Sequence, residues 1–214
     1  MPSKSLSKFE TKLVTDVMEL AKTHSQLSGD GPGRRAFGHL TRGGVVMLCA
    51  AWEIYLEELC REAVAVYCQK LSDPRQLPHD PAKEISNHVK NHKHELRPLD
   101  LAQDGWKRVF ESLVDGLIGT FNTPKAGPTN ELFRRAIGLH DLSDGWDRGA
   151  GAVDDFVTRR GDVAHRGSQA TYIRINELNS YLDLVRESVV QTDNAVAEHL
   201  RDTTPGRRLP WRRR

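Results

Sequence analysis

Apolar residues recur at intervals of three and four along one long segment, which runs from about Ala36 or Leu40 to Lys70. At about 100° per residue they fall on one face of an α-helix. The members of this stripe are Val45, Leu48, Trp52, Leu56, Leu59, Ala63 and Val66. A stripe of this length is typical of a helix that is packed along most of its length, so the segment is predicted to be the central core helix. No alternating strand pattern persists anywhere in the chain, and this predicts an all-α fold.

A second long stripe lies near the C-terminus, in a helix predicted from about Ile173 to Arg201. Its members recur at near-heptad spacing: Ile175, Leu178, Leu182, Val185, Val189, Val196 and Leu200. Such a stripe packs either into a bundle or across a dimer. Shorter helices fill the rest of the chain, beginning with one from about Ser5 to Gln26. The prediction is a single helical-bundle domain over residues 1–204, with a long central helix and a long C-terminal helix.

The last ten residues differ from the rest of the chain in charge. The chain has 31 Lys and Arg against 29 Asp and Glu, and five of the arginines lie in residues 205–214, which contain no acidic residue. A basic, disordered tail is predicted there, either simply solubilising or in contact with nucleic acid. No apolar run approaches the roughly 18 residues that span a bilayer, and the N-terminus has no apolar signal core. A soluble, cytoplasmic protein without membrane contact is expected.

Motifs for cofactors and metals are missing from the sequence. It contains no phosphate-binding glycine loop, no dinucleotide-binding glycine turn, no serine-nucleophile elbow and no His-Glu-x-x-His pair. His88 and His92 are four residues apart and could face one ion on a helix. They have no acidic or cysteine companion at suitable spacing, and nearby lysines disfavour a cation. Neither a cofactor nor a metal site is expected.

An arginine and a histidine separated by four residues can supply a cation for a phosphate and an imidazole for proton transfer. About one such pair is expected from the composition, whereas the chain has three. They are Arg34 with His39, Arg135 with His140, and Arg160 with His165. The first lies in a glycine- and proline-rich loop, and the second lies at a helix end, where a histidine interacts favourably with the helix dipole. Neither context favours catalysis.

The third pair has the local support that an active site needs. Phe156 and Val157 precede it, Val163 and Ala164 lie inside it, and Gly167 follows as a place for the helix to end. The apolar residues are expected to hold the backbone against the core, and a rigid support is what a catalytic pair requires. On the residues alone, a catalytic histidine and a structural histidine both stay open.

Three segments together resemble one family. Residues 160–167 read Arg-Gly-Asp-Val-Ala-His-x-Gly and are similar to the Arg-Asn-x-φ-Ala-His-x-Gly form of the motif of HEPN domains. Residues 42–59, with the aromatic-Glu-x-aromatic element at 52–55, resemble the long early helix of the RiboL-PSP-HEPN branch. The closing helix, with Tyr181-Leu182 and residues 192–200, is also similar. The resemblance implies an all-α bundle of the kind found in prokaryotic ribonuclease toxins and defence proteins.

The resemblance also implies an activity, namely that of a metal-independent endoribonuclease of toxin or phage-defence type. His165 would exchange a proton with the ribose 2′-hydroxyl or the leaving 5′-oxygen, and Arg160 would stabilise the phosphorane-like transition state. A homodimer is implied, in which two copies of the motif face one RNA cleft. An antitoxin or a defence-system protein is the further partner that such a protein would have.

Glu53 is a candidate supporting residue. It lies at the border of the apolar stripe of the central helix, beside Cys49 and Leu56, where a carboxylate is partly desolvated and benefits from a cationic partner. The resemblance implies that Glu53 sits near the motif. Two hypotheses follow, that it orients Arg160 or that it positions His165, and a glutamate on an exposed flank is the alternative.

The residue after the motif arginine departs from the family pattern. The family usually has Asn or another polar side chain there, whereas this chain has Gly161. Asp162 is the candidate to supply the missing hydrogen bond, and a register that pairs Arg159 with His165 is a second option. Arg159 and Arg166 are otherwise expected to grip flanking RNA phosphates. Gly161 also favours the alternative function, a non-catalytic HEPN-like helical module that binds RNA or a partner protein.

Overall fold

The structure is a computed structural model that describes residues 1–28 and 37–214. Regular structure within those residues is entirely helical, so the predicted all-α class is confirmed. The α-helices are α1 (Lys4–Lys8), α2 (Thr15–Ser28), α3 (Gly38–Lys70), α4 (His79–Lys90), α5 (Gly105–Ile118), α6 (Ala126–Ile137), α7 (Ala150–Arg166) and α8 (Ile175–Thr203). A π-helical turn, Phe9–Leu13, joins α1 to α2, so the helix predicted near the N-terminus is one nearly continuous helical segment.

Helix α3 is the predicted central helix, and it packs against α2, α5, α6, α7 and α8. Its predicted stripe is buried, apart from Val66, which is half-buried. Buried polar atoms on the same face are paired, because Tyr55 donates its hydroxyl hydrogen to the Val189 carbonyl oxygen at 2.8 Å and Trp52 Nε1 donates to the Pro124 carbonyl oxygen at 3.0 Å. These two bonds fix α3 to α8 and to the loop between α5 and α6.

The near-heptad stripe of helix α8 packs against other helices of the same chain. Leu178, Leu182, Val185, Val189 and Leu200 are all less than 9 % exposed, and α8 packs along α3. Of the two uses predicted for this stripe, packing into the bundle is the one that the structure shows. Because the stripe is covered apart from the half-buried Ile175, it does not form a continuous exposed seam for a second chain.

Residues 205–214 lie against the bundle, which differs from the disordered tail that the charge pattern predicts. Trp211 is 9 % exposed, and its Nε1 donates to the Asp193 carbonyl oxygen at 3.4 Å. The backbone N–H of Arg212 donates to the Met1 carbonyl oxygen at 2.9 Å, and the side chain of Arg214 forms an ion pair with Glu10. The difference arises because one apolar ring lies within the run of arginines and because their acidic partners are on other elements of the fold.

Two further sequence predictions concern the loop after the first helix and the membrane. Arg34 of the first Arg-x4-His pair, together with the loop predicted around residues 29–33, lies outside the described residues. Within the described ranges, none of the helices combines the length and the apolar character that a membrane crossing requires.

Candidate active site

Helix α7 carries Arg160 and His165. It begins after Gly149, which has a φ of 80°, and it ends at Gly167, which has a φ of 53°. Both values lie in the left-handed region that favours glycine, so the helix stop predicted at Gly167 has a backbone reason. The buried face of α7 consists of Val153, Phe156, Val157 and Val163. Arg160 lies on this face, three residues from the valine on either side of it.

The guanidinium of Arg160 lies at the edge of the core, where three groups surround it. Its Nε donates to Cys49 Sγ at 3.4 Å, and its Nη2 donates to the Asn122 carbonyl oxygen at 3.4 Å. The same Nη2 is 3.8 Å from Glu53 Oε2. The hydrogen bond to Cys49 is the largest cause that raises the pKa of Arg160, and the carboxylate of Glu53 raises it further. The side chain is 27 % exposed, so it is a fixed cation that solvent and a ligand can still reach.

Glu53 is brought to Arg160 and not to His165. Desolvation raises the pKa of the Glu53 carboxyl, the positive charge of Arg160 opposes this rise, and the negative charge of Glu57 adds to it. Glu53 is 26 % exposed, which does not fit a glutamate on a freely solvated flank. Of the two hypotheses for Glu53, the geometry fits the orientation of Arg160. The described contacts contain none between Glu53 and His165.

His165 lies on the solvent side of α7. Five residues of α-helix turn a side chain by about 140° and advance it by about 7.5 Å, so Arg160 and His165 leave the helix in different directions. Among residues 1–28 and 37–214, no hydrogen bond, ion pair or ring contact involves His165. One chain therefore presents the imidazole to solvent and holds the cation on another side of the same helix.

Arg159 is held by helix α8. Its Nε and Nη2 donate to Glu177 Oε1 at 3.2 and 3.1 Å, and Tyr181 donates its hydroxyl hydrogen to the same oxygen at 3.2 Å. The Arg159 side chain is 22 % exposed. This arrangement joins α7 to α8, and it leaves Arg159 less free than Arg166 to meet a phosphate.

Asp162 pairs with Arg166, one turn further along α7, at 3.1 Å between Oδ1 and Nε. The described contacts do not join Asp162 to Arg160 or to His165, so the hydrogen bond that the family side chain would supply is not replaced there. Arg166 is 70 % exposed and is the accessible cation beside the motif. Gly161, one turn before His165, has open space where a side chain would be, since an added Cβ meets no atom within 4 Å.

The second Arg-x4-His pair serves the contact between α4 and α6. Arg135 donates to both carboxylate oxygens of Glu84, at 2.9 and 2.8 Å, and His140 Nε2 is 2.9 Å from Asp80 Oδ2. His140 thus meets a carboxylate on α4, and Gly138, with a φ of 77°, ends α6. The described contact of His140 is therefore with the Asp80 carboxylate on α4, and not with the end of α6 that the sequence predicts.

His88 and His92, the pair considered for a metal site, lie near an arginine. His88 Nε2 lies 2.7 Å from Arg97 Nη2, and the charges of Arg97 and His92 add to the desolvation that lowers the pKa of His88. Across the described part of the chain, no cluster of three or more His, Cys, Asp or Glu residues is arranged to hold a metal ion.

Two of the groups that contact Arg160 are not predicted from the sequence. The Asn122 contact is made by a backbone carbonyl, so the identity of the residue carries no signal for it. Cys49 has a signal, because it lies four residues before Glu53 and therefore on the same face of α3. The Cys49 thiol can therefore contact the same arginine as the Glu53 carboxylate.

The fold is an all-α bundle with an Arg-x4-His pair on a late helix and a long early helix, an arrangement that resembles HEPN-type domains. The family model for RiboL-PSP-HEPN matches residues 11–198, and the chain belongs to this family. HEPN domains are commonly ribonucleases, and they often act as dimers or bind RNA. No curated protein and no solved structure matches the chain significantly.

Proposed function

We propose that this protein is a metal-independent endoribonuclease. The observation that carries the proposal is the environment of Arg160, a cation fixed by Cys49, the Asn122 carbonyl and Glu53 but still partly exposed. A fixed, partly desolvated guanidinium is suited to bind a phosphate and to stabilise the additional negative charge of its transition state. His165, on the same helix and open to solvent, supplies the group that moves a proton.

In the proposed reaction the ribose 2′-oxygen attacks the adjacent phosphorus, and the bond from phosphorus to the 5′-oxygen breaks. One imidazole accepts the 2′-hydroxyl proton, and an imidazolium, either this one or that of the second motif, donates a proton to the leaving 5′-oxygen. The products are a 2′,3′-cyclic phosphate and a 5′-hydroxyl. The nucleophile belongs to the substrate, so the reaction selects RNA over DNA and has no need of a metal-bound water.

The proposed active unit is a homodimer. Arg160 and His165 leave α7 about 140° apart, so a second chain that brings its own motif to the same cleft would place an imidazole opposite each cation. Mixing two inactive variants, Arg160→Ala and His165→Ala, should then restore part of the activity through mixed dimers. A monomeric mass by light scattering, with no recovery on mixing, would contradict the composite site.

The biological setting that we propose is a cytoplasmic toxin or phage-defence protein with an antitoxin or defence-system partner. Membership of the RiboL-PSP-HEPN family supports it. Expression of the wild-type protein should slow growth, and the His165→Ala variant should relieve this effect. Equal toxicity of the two proteins would contradict the setting.

The alternative function is a non-catalytic module that binds RNA or a protein. Gly161 favours it, because the position next to the motif arginine lacks the polar side chain of the family and Asp162 is engaged by Arg166. The two functions differ in the fate of a bound strand, which is cut in one case and stays intact in the other.

A substrate comparison in EDTA tests the proposal. Purified protein should cut a single-stranded RNA and leave intact a strand of the same sequence in which every ribose is 2′-deoxy. Failure to cut RNA in EDTA, or equal cleavage of both strands, would contradict the 2′-hydroxyl mechanism. Binding of the RNA without cleavage would favour the alternative function.

A further inference from the structure

A cleft of about 400 Å³ lies between the C-terminal end of α5, the loop that follows it and helix α6. This volume falls in the range of about 300–1,000 Å³ that is usual for small-molecule sites. Leu117, Phe121, Pro128 and Leu132 form its apolar side, and Thr120, Asn122, Thr123, Glu131 and Arg135 form its polar side, with Arg135 held by Glu84. Its lining therefore combines an apolar surface with groups that can donate and accept hydrogen bonds.

The cleft is joined to the candidate active site through Asn122. This residue lines the cleft, and its carbonyl oxygen accepts the hydrogen bond of Arg160 at 3.4 Å. A strand whose phosphate meets Arg160 would thus have a neighbouring nucleotide at the mouth of the cleft.

The loop that carries Asn122 is fixed at two points. Trp52 Nε1 donates to the Pro124 carbonyl oxygen at 3.0 Å, and the Ala126 backbone N–H donates to Asp154 Oδ1 at 2.7 Å. Trp52 is on α3 with Glu53, and Asp154 is on α7 with Arg160. The cleft and the cation are consequently held by the same two helices, which is the preorganisation that a specific site needs.

The polar groups of the cleft have defined roles. Asn122 Oδ1 accepts a hydrogen bond from Thr123 Oγ1 at 3.2 Å, so the amide nitrogen is the part of Asn122 that is left to donate. Both oxygens of Glu131 accept bonds from Arg134, at 2.8 and 3.0 Å, and this cation offsets the charge of the carboxylate. An ionised carboxylate only accepts hydrogen bonds, so Glu131 offers an acceptor to whatever enters the cleft.

We infer that the cleft binds one unpaired nucleobase of the RNA strand whose phosphate lies at Arg160. This inference rests on the proposed function for its ligand class. A flat heterocycle packs against the apolar side, as unstacked bases do in single-strand recognition, while its edge meets the polar side. Glu131 accepts a hydrogen bond most favourably from an exocyclic amino group, which adenine, cytosine and guanine have. The one donor on the same edge of uracil, N3–H, lies between two carbonyl oxygens that a carboxylate repels. The cleft therefore sets a preference at one position and disfavours uracil there.

Binding of four 2′-O-methyl tetranucleotides, one for each base, tests the inference without any cleavage, since the 2′-oxygen is blocked. Thr120→Trp places a large ring in the cleft. Thr15→Trp is the matched control, because both threonines are exposed and donate to the carbonyl three residues earlier, at 2.9 Å in Thr120 and 2.6 Å in Thr15. Circular dichroism and thermal melting check that both variants fold.

The wild type should bind the uridine tetranucleotide most weakly. Thr120→Trp should weaken binding of the other three by about fivefold or more, the loss of one bound base, while Thr15→Trp binds as the wild type does. Glu131→Gln should reduce the discrimination against uridine. Absence of binding by the wild type, or equal affinities of the wild type and Thr120→Trp, would overturn the inference.

The same experiment separates this inference from the proposed function. One outcome is RNA cleavage that depends on His165, together with tetranucleotide binding that Thr120→Trp does not change. This outcome would contradict base binding in the cleft and would support the ribonuclease. Cleft-dependent binding by a protein that cuts no RNA would support the cleft and replace the ribonuclease by a binding module.

Discussion

Arg160 and Glu53 face each other across the contact between α7 and α3, with Nη2 3.8 Å from Oε2. Arg160 lies on the buried face of α7, and Glu53 borders the buried face of α3. The pair therefore lies at the edge of the core, next to the candidate phosphate site. We expect Glu53→Gln to lower kcat by about tenfold, because the guanidinium loses a charged partner that fixes its position. The pair is partly exposed, so the free energy of unfolding should change by less than about 1 kcal/mol.

Glu58→Gln is the matched control for this prediction. Glu58 is on the same helix, is 28 % exposed against 26 % for Glu53, and forms an ion pair with Lys8 away from α7. Cleavage assays and urea unfolding of both variants should show a kcat effect only for Glu53→Gln. Identical kinetics of the two variants would remove Glu53 from the positioning of Arg160.

The two arginines on either side of the motif should differ in their effect on RNA binding. Arg166 is 70 % exposed and Arg159 is 22 % exposed and held by Glu177. Arg166→Ala is therefore expected to weaken binding of an uncleavable RNA and to reduce the slope of log K against log salt by about one. Arg159→Ala should leave that slope nearly unchanged and mainly loosen the α7–α8 contact. Fluorescence anisotropy over a salt series measures both slopes, and equal slopes for the two variants would contradict the assignment.

Gly161 and Gly167 have different reasons to be glycine. Gly161 lies inside α7 with open space around its Cα, so Gly161→Ala should raise the free energy of unfolding by about 0.5–1 kcal/mol. Gly167 has a φ of 53°, a conformation that costs other residues roughly 1–2 kcal/mol. We therefore expect Gly167→Ala to lower the free energy of unfolding. Denaturant unfolding of both variants checks the signs, and a destabilising Gly161→Ala would mean that a side chain is not tolerated there.

The burial of the α3 stripe could be predicted from the sequence because helical periodicity reports directly on which face is covered. Trp52 illustrates this, since its place in the stripe is sufficient to put it in the core. Trp211 illustrates the limit, because its partner Asp193 lies on another element and the surrounding arginines dominate the local pattern. In the site, the approach of Glu53 to Arg160 follows from the family resemblance. The Asn122 carbonyl could not be predicted, because a backbone group makes that contact in a loop without periodicity.

Asp193 predicts a pH dependence of stability. It is fully buried, it accepts a hydrogen bond from the Ser3 hydroxyl, and its Oδ2 has no hydrogen-bond partner among the described residues. Desolvation raises the pKa of Asp193 to about 6. The Asp193 carboxyl therefore binds its proton more tightly in the folded state than in the unfolded state. The protonated carboxyl stabilises the fold at about pH 4 and below, and this stabilisation is lost as the pH rises through about 6.

The Asp193→Asn variant isolates this effect. Relative to the variant, the wild type should lose about 2 kcal/mol of unfolding free energy between pH 4 and pH 7. Urea unfolding at both pH values gives the difference between the two proteins, in which the titrations of all other groups cancel. A difference that does not change with pH would show that Asp193 keeps an ordinary pKa.

The role of His165 in proton transfer is tested by the rate of RNA cleavage in EDTA, measured for the wild type, for His165→Ala and for the control variant His94→Ala. Both histidines are exposed, and His94 lies in the segment between α4 and α5, away from the motif helix. We expect His165→Ala to lose at least about 100-fold in rate, as when a general acid or base is removed, and His94→Ala to keep the wild-type rate. Cleavage by His165→Ala at the wild-type rate would contradict a catalytic role for His165.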